Sequence, residues 1–337
     1  MEQRRLGDSG IEVSDLGFGA MNFGFPGGPS EERAIAMVHR ALDAGINLID
    51  TADVYTLGES ERVVGLAIAG HRDQVVLATK FGLPMGPEGG QSGGSARWVK
   101  QAVENSLRRL GTDYIDLYQM HRPDFDTDID ETLAALDDLV TGGKVRAIGT
   151  STFPAELIVS AQWAAEKSGH RRFVSEQPRY SIFNRRPEGH VFPTLQKLKM
   201  TAITYAPLAS GWLSGADPAI STRAQLEPRA FNLDTPANQA KRRAAHQLRD
   251  LAYDAGLPMS HLALGFARAH PAVSSVLIGP RTLDQLEDLI DGADVVLDDE
   301  TLDSIDQIVA PGGDLNPEDN FDAAIPAIAD KRLRRRP

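Results

Sequence analysis

A regular alternation of two hydrophobic patterns is the feature that most constrains the fold of this chain. Eight short apolar runs, rich in β-branched residues, have the pattern of buried strands, and segments with apolar residues three and four positions apart lie between them. The predicted strands are residues 15–19, 46–50, 75–80, 115–121, 145–149, 173–177, 202–205 and 274–278. The predicted helices include residues 31–44, 60–69, 96–110, 129–141, 155–167 and 187–200. Strands that alternate with helices indicate βαβ units and a parallel sheet.

Glycines mark the ends of several of these repeats. Gly45, Gly111 and Gly143 follow predicted helices, at positions where a left-handed residue commonly ends a helix. Eight such units without a linker predict an α/β protein whose single domain, residues 1–337, is a closed (β/α)8 TIM barrel. A doubly wound sheet in two domains is the less favoured alternative.

Three segments depart from the alternation. Residues 4–13 have the pattern of an amino-terminal β-hairpin, which we expect to cover the barrel floor. Residues 209–238 are rich in Gly, Pro, Ser and Arg and form a long loop after strand seven, where barrels carry functional loops. The tail, from about residue 313 to residue 337, ends in a basic run that we interpret as a solvated terminal segment.

Composition excludes several classes of function. The 337 residues carry 47 acidic and 35 basic side chains, and the net charge of -12 argues against a broad surface for nucleic acids or anionic membranes. The chain has no cysteine, which excludes disulfides, thiolate metal sites and cysteine nucleophiles. The sequence contains no signal-peptide core and no apolar stretch long enough to span a membrane. We therefore expect a cytoplasmic protein without nucleic-acid or membrane partners.

Two short motifs suggest ligand sites that their details do not support. Residues 17–22 begin like a dinucleotide fingerprint but lack its third glycine and the acidic residue that should follow about 20 positions later. The alternating aspartates of residues 124–128 have the spacing of a calcium loop, but its turn glycine and bidentate acid are missing. We interpret this segment as a polar loop and helix start. The histidines also lack metal-ligand spacing, so no metal centre is predicted.

Polar residues at predicted strand ends are the most informative candidates. Asp50, Lys80 and His121 end three successive strands, and Tyr55 follows Asp50 by five residues. In a barrel these ends converge on one face, where catalytic groups lie. A tyrosine needs a neighbouring cation to exchange protons near neutral pH, and Lys80 is the candidate cation. A structural ion pair and a hydrogen-bonded core histidine have the same pattern, so spacing alone leaves both interpretations open.

At these residues the sequence resembles the aldo-keto reductases. It is similar to bacterial NADP-dependent oxidoreductases and also to the branch that contains potassium channel beta subunits. The motifs that carry the resemblance are residues 45–55 (GINLIDTADVY), 58–61 (GESE), 78–80 (ATK), 117–121 (LYQMH) and 278–281 (IGPR). The resemblance extends over nearly the whole chain, from the amino-terminal hairpin to residue 281, and the motifs together are highly specific.

The resemblance implies that Asp50, Tyr55, Lys80 and His121 form the catalytic tetrad of an NAD(P)H-dependent reductase of aldehydes or ketones. On this interpretation the cofactor delivers hydride while Tyr55 donates a proton to the carbonyl oxygen. Lys80 lowers the pKa of Tyr55, and Asp50 positions Lys80. His121 acts as a neutral donor that orients and polarises the carbonyl.

The resemblance also implies a set of cofactor contacts. Polar groups after strands five and six hold the nicotinamide carboxamide, Tyr205 stacks on the ring, and the loop after strand seven follows the pyrophosphate. Residues after strand eight, Gly279, Arg281, Gln285 and Asp288, lie at the adenosine end. The implied residues are Gly19, Met21, Asp50, Ser151, Gln177, Tyr205, Pro207, Leu208, Ser210, Gly211, Leu213, Gly279, Arg281, Gln285 and Asp288. Arg281, near a helix start, is expected to bind the ribose phosphate and favour NADPH over NADH.

The sequence departs from the family pattern at four places near these residues. Leu289 stands where an adenine-binding asparagine is common, and Ala206 replaces a frequent serine. Thr152 stands where asparagine is usual beside Ser151, which removes an amide donor from the carboxamide site. Thr56 and Leu57 replace the glycine that often follows the catalytic tyrosine.

Two other functions fit the same fold. One is a regulatory subunit that binds nucleotide and turns over slowly. The other is a barrel isomerase or aldolase in which Lys80 forms a Schiff base. The sequence leaves open which carbonyl compound is the substrate, the physiological direction of the reaction, and whether the protein is a monomer or a homo-oligomer.

Overall fold

A closed barrel of eight parallel strands forms the centre of the molecule, which confirms the predicted fold. The computed structural model describes residues 1–86, 91–215, 224–225, 228–320 and 326–335. The strands are β1 (Gln3–Arg5), β2 (Glu12–Ser14), β3 (Leu16–Gly19), β4 (Leu48–Asp50), β5 (Val76–Phe81), β6 (Ile115–Met120), β7 (Val145–Ser151), β8 (Ser175–Gln177), β9 (Thr201–Tyr205) and β10 (Val273–Ile278). Strands β3 to β10 follow one another around the ring, and β10 pairs with β3 to close it.

Helices on the outside of the barrel connect the strands. Those described are α1 (Glu31–Asp43), α2 (Glu59–Ile68), α3 (Ala96–Leu110), α4 (Ile129–Thr141), α5 (Ala155–Ser168), α6 (Val191–Lys197), α7 (Pro236–Asp254), α8 (Met259–Ala269), α9 (Leu283–Asp291), α10 (Asp299–Ile308) and α11 (Pro326–Ala329). The prediction of one helix over residues 187–200 is wrong, because a separate 3-10 turn at Arg186–Glu188 precedes α6. Pro187 has no amide hydrogen and Gly189 has low helix propensity, so the longer helix does not form.

Local sequence explains where these helices begin and end. The Asp128 side chain accepts a hydrogen bond from the Asp130 amide at the start of α4, as expected for a polar loop that begins a helix. At the end of α3, Gly111 has a left-handed φ of 63°, as its position predicted.

The lower end of the barrel interior is apolar and closed by the hairpin of β1 and β2. Alternate residues of the strands point inward. At the floor these residues pack with Leu6, Ile11 and Val13 of the hairpin region, and the cluster includes Leu48, Ala78, Leu117, Ala147, Val174, Ile203 and Leu277. The floor therefore excludes water, and the polar inward residues lie at the opposite, carboxyl end of the strands.

Two long segments pack near that carboxyl end. The described parts of the predicted loop, residues 209–238, contain 3-10 turns at Ala209–Gly211 and Pro228–Phe231, whereas residues 216–223 and 226–227 lie outside the described residues. In the predicted tail, the Leu315 amide donates to the Phe183 carbonyl at 3.0 Å, which ties this part to the chain after β8. The described part of the basic run is exposed, and residues 321–325 and 336–337 lie outside the described residues.

Candidate active site

A layer of polar side chains lies inside the barrel, directly above the apolar floor. Asp50, Lys80 and Gln119 occupy inward positions two residues beyond Leu48, Ala78 and Leu117 on their strands. Gln177 and Tyr205 end β8 and β9. The period-2 alternation that buries the floor therefore also brings these polar groups to one place.

The ammonium group of Lys80 connects two other predicted site residues, Asp50 and Tyr55. Its Nζ donates to Asp50 Oδ1 at 2.5 Å, to the Thr51 carbonyl at 2.9 Å and to Tyr55 Oη at 3.2 Å. Lys80 is completely buried. A buried ammonium with three acceptors has its donors satisfied, so Asp50, Lys80 and Tyr55 form one hydrogen-bonded chain.

Burial and charge act in opposite directions on this chain. Burial raises the pKa of Tyr55, and the nearby Lys80 charge opposes this without cancelling it. The expectation that Lys80 lowers the pKa of Tyr55 is confirmed for the contribution of Lys80 itself, but loss of solvation is the larger effect, so the pKa of Tyr55 is raised overall. Burial lowers the pKa of Lys80, but the Asp50 charge and Tyr55 outweigh it, so the pKa of Lys80 is raised overall. Phenol and ammonium are both protonated at neutral pH.

His121 lies one residue beyond the end of β6 and faces Tyr55. The two rings meet edge to face, with centres 5.7 Å apart and an interplanar angle of 84°. Burial, the Lys80 charge and Arg122 hold the pKa of His121 well below its usual value, so the imidazole is neutral at pH 7. Its Nδ1 is buried and has no hydrogen-bond partner among the described residues.

The second carboxylate oxygen of Asp50 is held by two glutamines. Gln119 Nε2 donates to Asp50 Oδ2 at 3.1 Å, and Gln177 Nε2 donates to the same oxygen at 2.9 Å. Gln177 Nε2 also lies 3.2 Å from Gln119 Oε1. The sequence analysis did not select Gln119, although its position two residues before His121 puts it on the inward face of β6.

Tyr55 stands at the start of a strained turn. Thr56 and Leu57 have left-handed φ values of 50° and 53°, although neither is glycine. Such residues cost about 1–3 kcal/mol each and persist where surrounding contacts fix them. The Thr56 hydroxyl donates to the Phe23 carbonyl at 3.1 Å, and a Cβ on Gly58 would come within 2.5 Å of Arg109. The close packing of this turn fixes the direction of Tyr55.

The residues that the resemblance assigns to the nicotinamide carboxamide lie beside this network. The Ser151 hydroxyl donates to the Gln177 main-chain carbonyl at 2.9 Å. Thr152 has a left-handed φ of 58°, which is unusual for a β-branched residue. The Thr152 and Tyr205 hydroxyls are buried and have no partner among the described residues. Buried polar atoms without partners fit a polar ligand group such as a carboxamide.

A buried glutamate fixes the backbone of the same loop. Glu176 Oε2 accepts from the Thr150 hydroxyl at 2.5 Å, and Oε1 accepts from the Phe153 amide at 3.0 Å. Burial raises the pKa of Glu176 to about 7, although these hydrogen bonds oppose the shift. No local sequence pattern indicates this residue, because its partners come from the neighbouring strand β7 and the loop that follows it.

The loop after β9 has an unusual backbone conformation. Ala209 and Ser210 have left-handed φ values of 48° and 61° and follow Leu208, which has a negative φ of -87°. The Ala209 amide donates to the Ala206 carbonyl at 2.9 Å and the Gly211 amide donates to the Leu208 carbonyl at 2.9 Å, so hydrogen bonds within the loop hold this conformation. The Ser210 hydroxyl accepts from Arg179 Nη2 at 2.9 Å, so a buried guanidinium supports the loop. Arg179 was not selected from the sequence.

Several residues assigned to the adenosine end have partners within the protein. The Arg281 amide donates to Gln285 Oε1 at 2.9 Å before α9, and Asp288 Oδ2 accepts from the Ser260 hydroxyl at 2.9 Å. The remaining implied residues lie at or after the carboxyl ends of three strands. Gly19 ends β3 and Met21 follows it, Pro207, Gly211 and Leu213 follow β9, and Gly279 follows β10. Leu213 is buried, whereas Met21 is exposed.

Two further features concern only the residues that the structure describes. No group of three or more His, Asp or Glu side chains within this part of the chain is placed to hold a metal ion. None of the helices in the described ranges is long and apolar enough to cross a membrane.

Comparison with known proteins gives the family. A family model described as the Aldo/keto reductase family matches residues 15–310. The chain belongs to the aldo/keto reductase family. Its closed barrel and its amino-terminal hairpin are those that the sequence analysis predicted.

Named relatives cover nearly the full length of the chain. It is 35% identical to the uncharacterized oxidoreductase YrpG of Bacillus subtilis, over 93% of this chain and 98% of that protein. It is 37% identical to the aldo-keto reductase YhdN of the same organism, over 86% of this chain and 88% of that protein. It is 32% identical to a probable voltage-gated potassium channel subunit beta of Oryza sativa, over 92% and 97%. Family and names support an oxidoreductase that reduces carbonyl groups.

Proposed function

We propose that the protein reduces a small aldehyde or ketone to the alcohol with NADPH as hydride donor and Tyr55 as proton donor. The observation that carries this proposal is the buried chain in which Lys80 contacts both Asp50 and Tyr55. A phenol with a cationic neighbour at the mouth of a barrel is suited to protonate a developing alkoxide.

Each residue of the tetrad has a separate task. Tyr55 is protonated at neutral pH and gives its hydroxyl proton to the carbonyl oxygen. Lys80 stays charged and stabilises the phenolate left on Tyr55, while Asp50 holds the ammonium in place. His121 is neutral and can donate one hydrogen bond that orients the carbonyl. When bound, NADPH supplies the hydride to the carbonyl carbon.

The cofactor would be held by residues at the strand ends. Ser151, Thr152 and Gln177 would hold the carboxamide, and Tyr205 would stack on the ring. The loop that contains Ser210, with Arg179 behind it, would bind the pyrophosphate. The proposed preference for NADPH rests on Arg281, whose guanidinium can bind a phosphate in two hydrogen bonds close to the amino end of α9.

The two alternative functions receive unequal support. Similarity to the rice potassium channel subunit beta supports a regulatory role, in which nucleotide binds and turnover is slow. A Schiff-base mechanism has less support, because the raised pKa of Lys80 keeps its amine protonated and therefore not nucleophilic. The Asp50–Lys80–Tyr55 chain favours the reductase over both.

The function can be tested with a panel of aldehydes, ketones and keto-sugars. We expect loss of NADPH absorbance with at least one class of carbonyl compound and formation of the matching alcohol. Binding of NADPH with turnover slower than about one per minute across the panel would favour the regulatory role instead. A substrate adduct on Lys80 after borohydride treatment would contradict both.

A further inference from the structure

Gln119 occupies a position in the polar layer that the tetrad does not explain. Its side chain is completely buried and touches neither Lys80 nor Tyr55 through a hydrogen bond among the described contacts. On the neighbouring strand, a Cβ on Gly149 would lie 2.5 Å from Ser175 Oγ and 3.3 Å from Gln119 Cγ. Gly149 therefore chiefly makes room for Ser175, and a side chain there would also crowd Gln119.

The hydrogen bonds determine which way both glutamine amides face. The Asp50 carboxylate can only accept, so the two atoms that contact Oδ2 must be the Nε2 donors of Gln119 and Gln177. Gln177 then gives its second N–H to Gln119 Oε1. Both amide hydrogens of Gln177 are thereby used inside the barrel, and its Oε1 is left to accept a hydrogen bond from elsewhere.

The orientation of Gln177 thus depends on Gln119. If Gln119 lost its amide, Gln177 would keep one bond to Asp50 but lose the acceptor for its second hydrogen. Its Oε1 would no longer be held in one direction. Asp50 would at the same time lose one of the two donors on Oδ2, so the carboxylate that positions Lys80 would be less firmly held.

We propose that Gln119 is a positioning residue that fixes the Gln177 amide and the Asp50 carboxylate together. It thereby links the contact to the nicotinamide carboxamide with the proton-donating chain. This inference rests on the proposed function, because it requires that Gln177 Oε1 accepts from the carboxamide NH2. It predicts that Gln119 affects cofactor recognition at the carboxamide, although it does not touch the cofactor.

The test compares two cofactors that differ at the carboxamide. In 3-acetylpyridine adenine dinucleotide phosphate a methyl group replaces the NH2, so the donor to Gln177 is lost while the rest of the molecule is unchanged. Dissociation constants for this analogue and for NADP+ are measured by titration calorimetry without any carbonyl substrate. For the wild-type protein we expect NADP+ to bind about tenfold more tightly.

The decisive variant is Gln119→Leu, with Gln119→Met as a second variant of similar length. We expect the preference for NADP+ to fall to about twofold in both, and kcat to fall with it. Gln177→Leu should show the same small preference, and adding Gln119→Leu to it should change the preference no further. Gln101→Leu, on α3, is the matched control and should behave as the wild type.

The outcomes separate this inference from the proposed function. A tenfold preference that survives in whichever Gln119 variant is folded, as judged by circular dichroism, would overturn the positioning role while leaving the reductase intact. Equal binding of both cofactors by the wild type would also overturn it. Failure of the wild type to bind either dinucleotide would instead remove the proposed function on which the inference rests.

Discussion

Asp50 and Asp53 are three residues apart and both are buried, but their carboxyl groups have different hydrogen-bonding surroundings. Asp50 faces the barrel interior, where Lys80 and two glutamine amides donate to it. Asp53 lies among groups from α2, α3 and β6, and neither of its side-chain oxygens has a hydrogen-bond partner among the described residues. Burial and the Glu61 charge raise the pKa of Asp53 to about 8.

The difference shows what a buried carboxylate needs to remain charged. Glu61, beside Asp53, accepts from the Thr79 hydroxyl at 2.6 Å and from Arg109 Nε at 2.6 Å. Asp53 is buried beside Glu61 and, within the described part of the chain, has no donor of its own, so it keeps its proton at neutral pH. Hydrogen-bond donors therefore surround Asp50 inside the barrel, whereas Asp53, outside it, is a neutral acid close to the turn that follows Tyr55.

The largest effect should come from removing the cation that donates to Asp50, so that its carboxyl group loses a partner and becomes more like that of Asp53. Lys80→Met leaves Asp50 buried without its cation, and we expect kcat to fall by at least about 100-fold because Tyr55 loses the charge that stabilises its phenolate. Urea unfolding should show a loss of about 3–5 kcal/mol. Asp50→Asn combined with Lys80→Met should recover part of this stability but none of the activity. Lys100→Met, at an exposed ion pair, is the control. A Lys80→Met enzyme with normal kcat would contradict the role of Lys80.

A smaller effect should follow from replacing the neutral acid. The unfolded chain releases the Asp53 proton near pH 4, whereas the folded protein keeps it until about pH 8. Between these values the folded state binds the extra proton, so the Asp53 contribution to stability falls as pH rises, by up to about 1.4 kcal/mol per pH unit.

Asp53→Asn removes this dependence. We therefore expect the stability of Asp53→Asn relative to wild type to increase between pH 5 and pH 8, measured by urea unfolding at several pH values. The exposed Asp73→Asn variant should show no such trend. A constant difference across this range would show that Asp53 is ionised in the folded protein.

A cofactor phosphate also needs hydrogen-bond donors. We expect the smallest of the three effects when one proposed donor, Arg281, is removed. Arg281→Ala should raise the KM for NADPH by about tenfold, equivalent to about 1.4 kcal/mol, and leave that for NADH nearly unchanged. The exposed Arg249→Ala on α7 is the matched control. Equal changes for both cofactors would contradict phosphate recognition by Arg281.

The sequence predicted the barrel and the convergence of Asp50, Tyr55, Lys80 and His121 at one end of it, but not the groups that hold them. Asp50, Lys80 and His121 stand out because each polar residue follows a buried apolar strand. Gln119 also faces inward near the end of its strand, but an uncharged amide is not distinctive in the sequence. Its proposed role depends on register with strands far away in the chain. The raised pKa of Asp53 arises from its burial and from the charge of Glu61 on α2, and no local sequence pattern reveals either.

The direction of the Tyr55 shift also depends on three-dimensional structure. Sequence reasoning identified its cationic neighbour correctly but had no measure of how fully the phenol is desolvated. Burial depends on packing of the turn at Thr56 and Leu57, whose left-handed conformation a sequence without glycine does not indicate.

Single-turnover hydride transfer in Tyr55→Phe tests the central claim most directly. The variant removes one hydroxyl from the barrel mouth and should bind NADPH within about twofold of wild type, because the phenol contributes no contact that the proposed cofactor site requires. With a carbonyl substrate found in the panel, we expect the rate of nicotinamide oxidation to fall by at least about 100-fold. Tyr253→Phe, at an exposed position on α7, should match the wild type. Hydride transfer at the wild-type rate in Tyr55→Phe would contradict the assignment of Tyr55 as the proton donor.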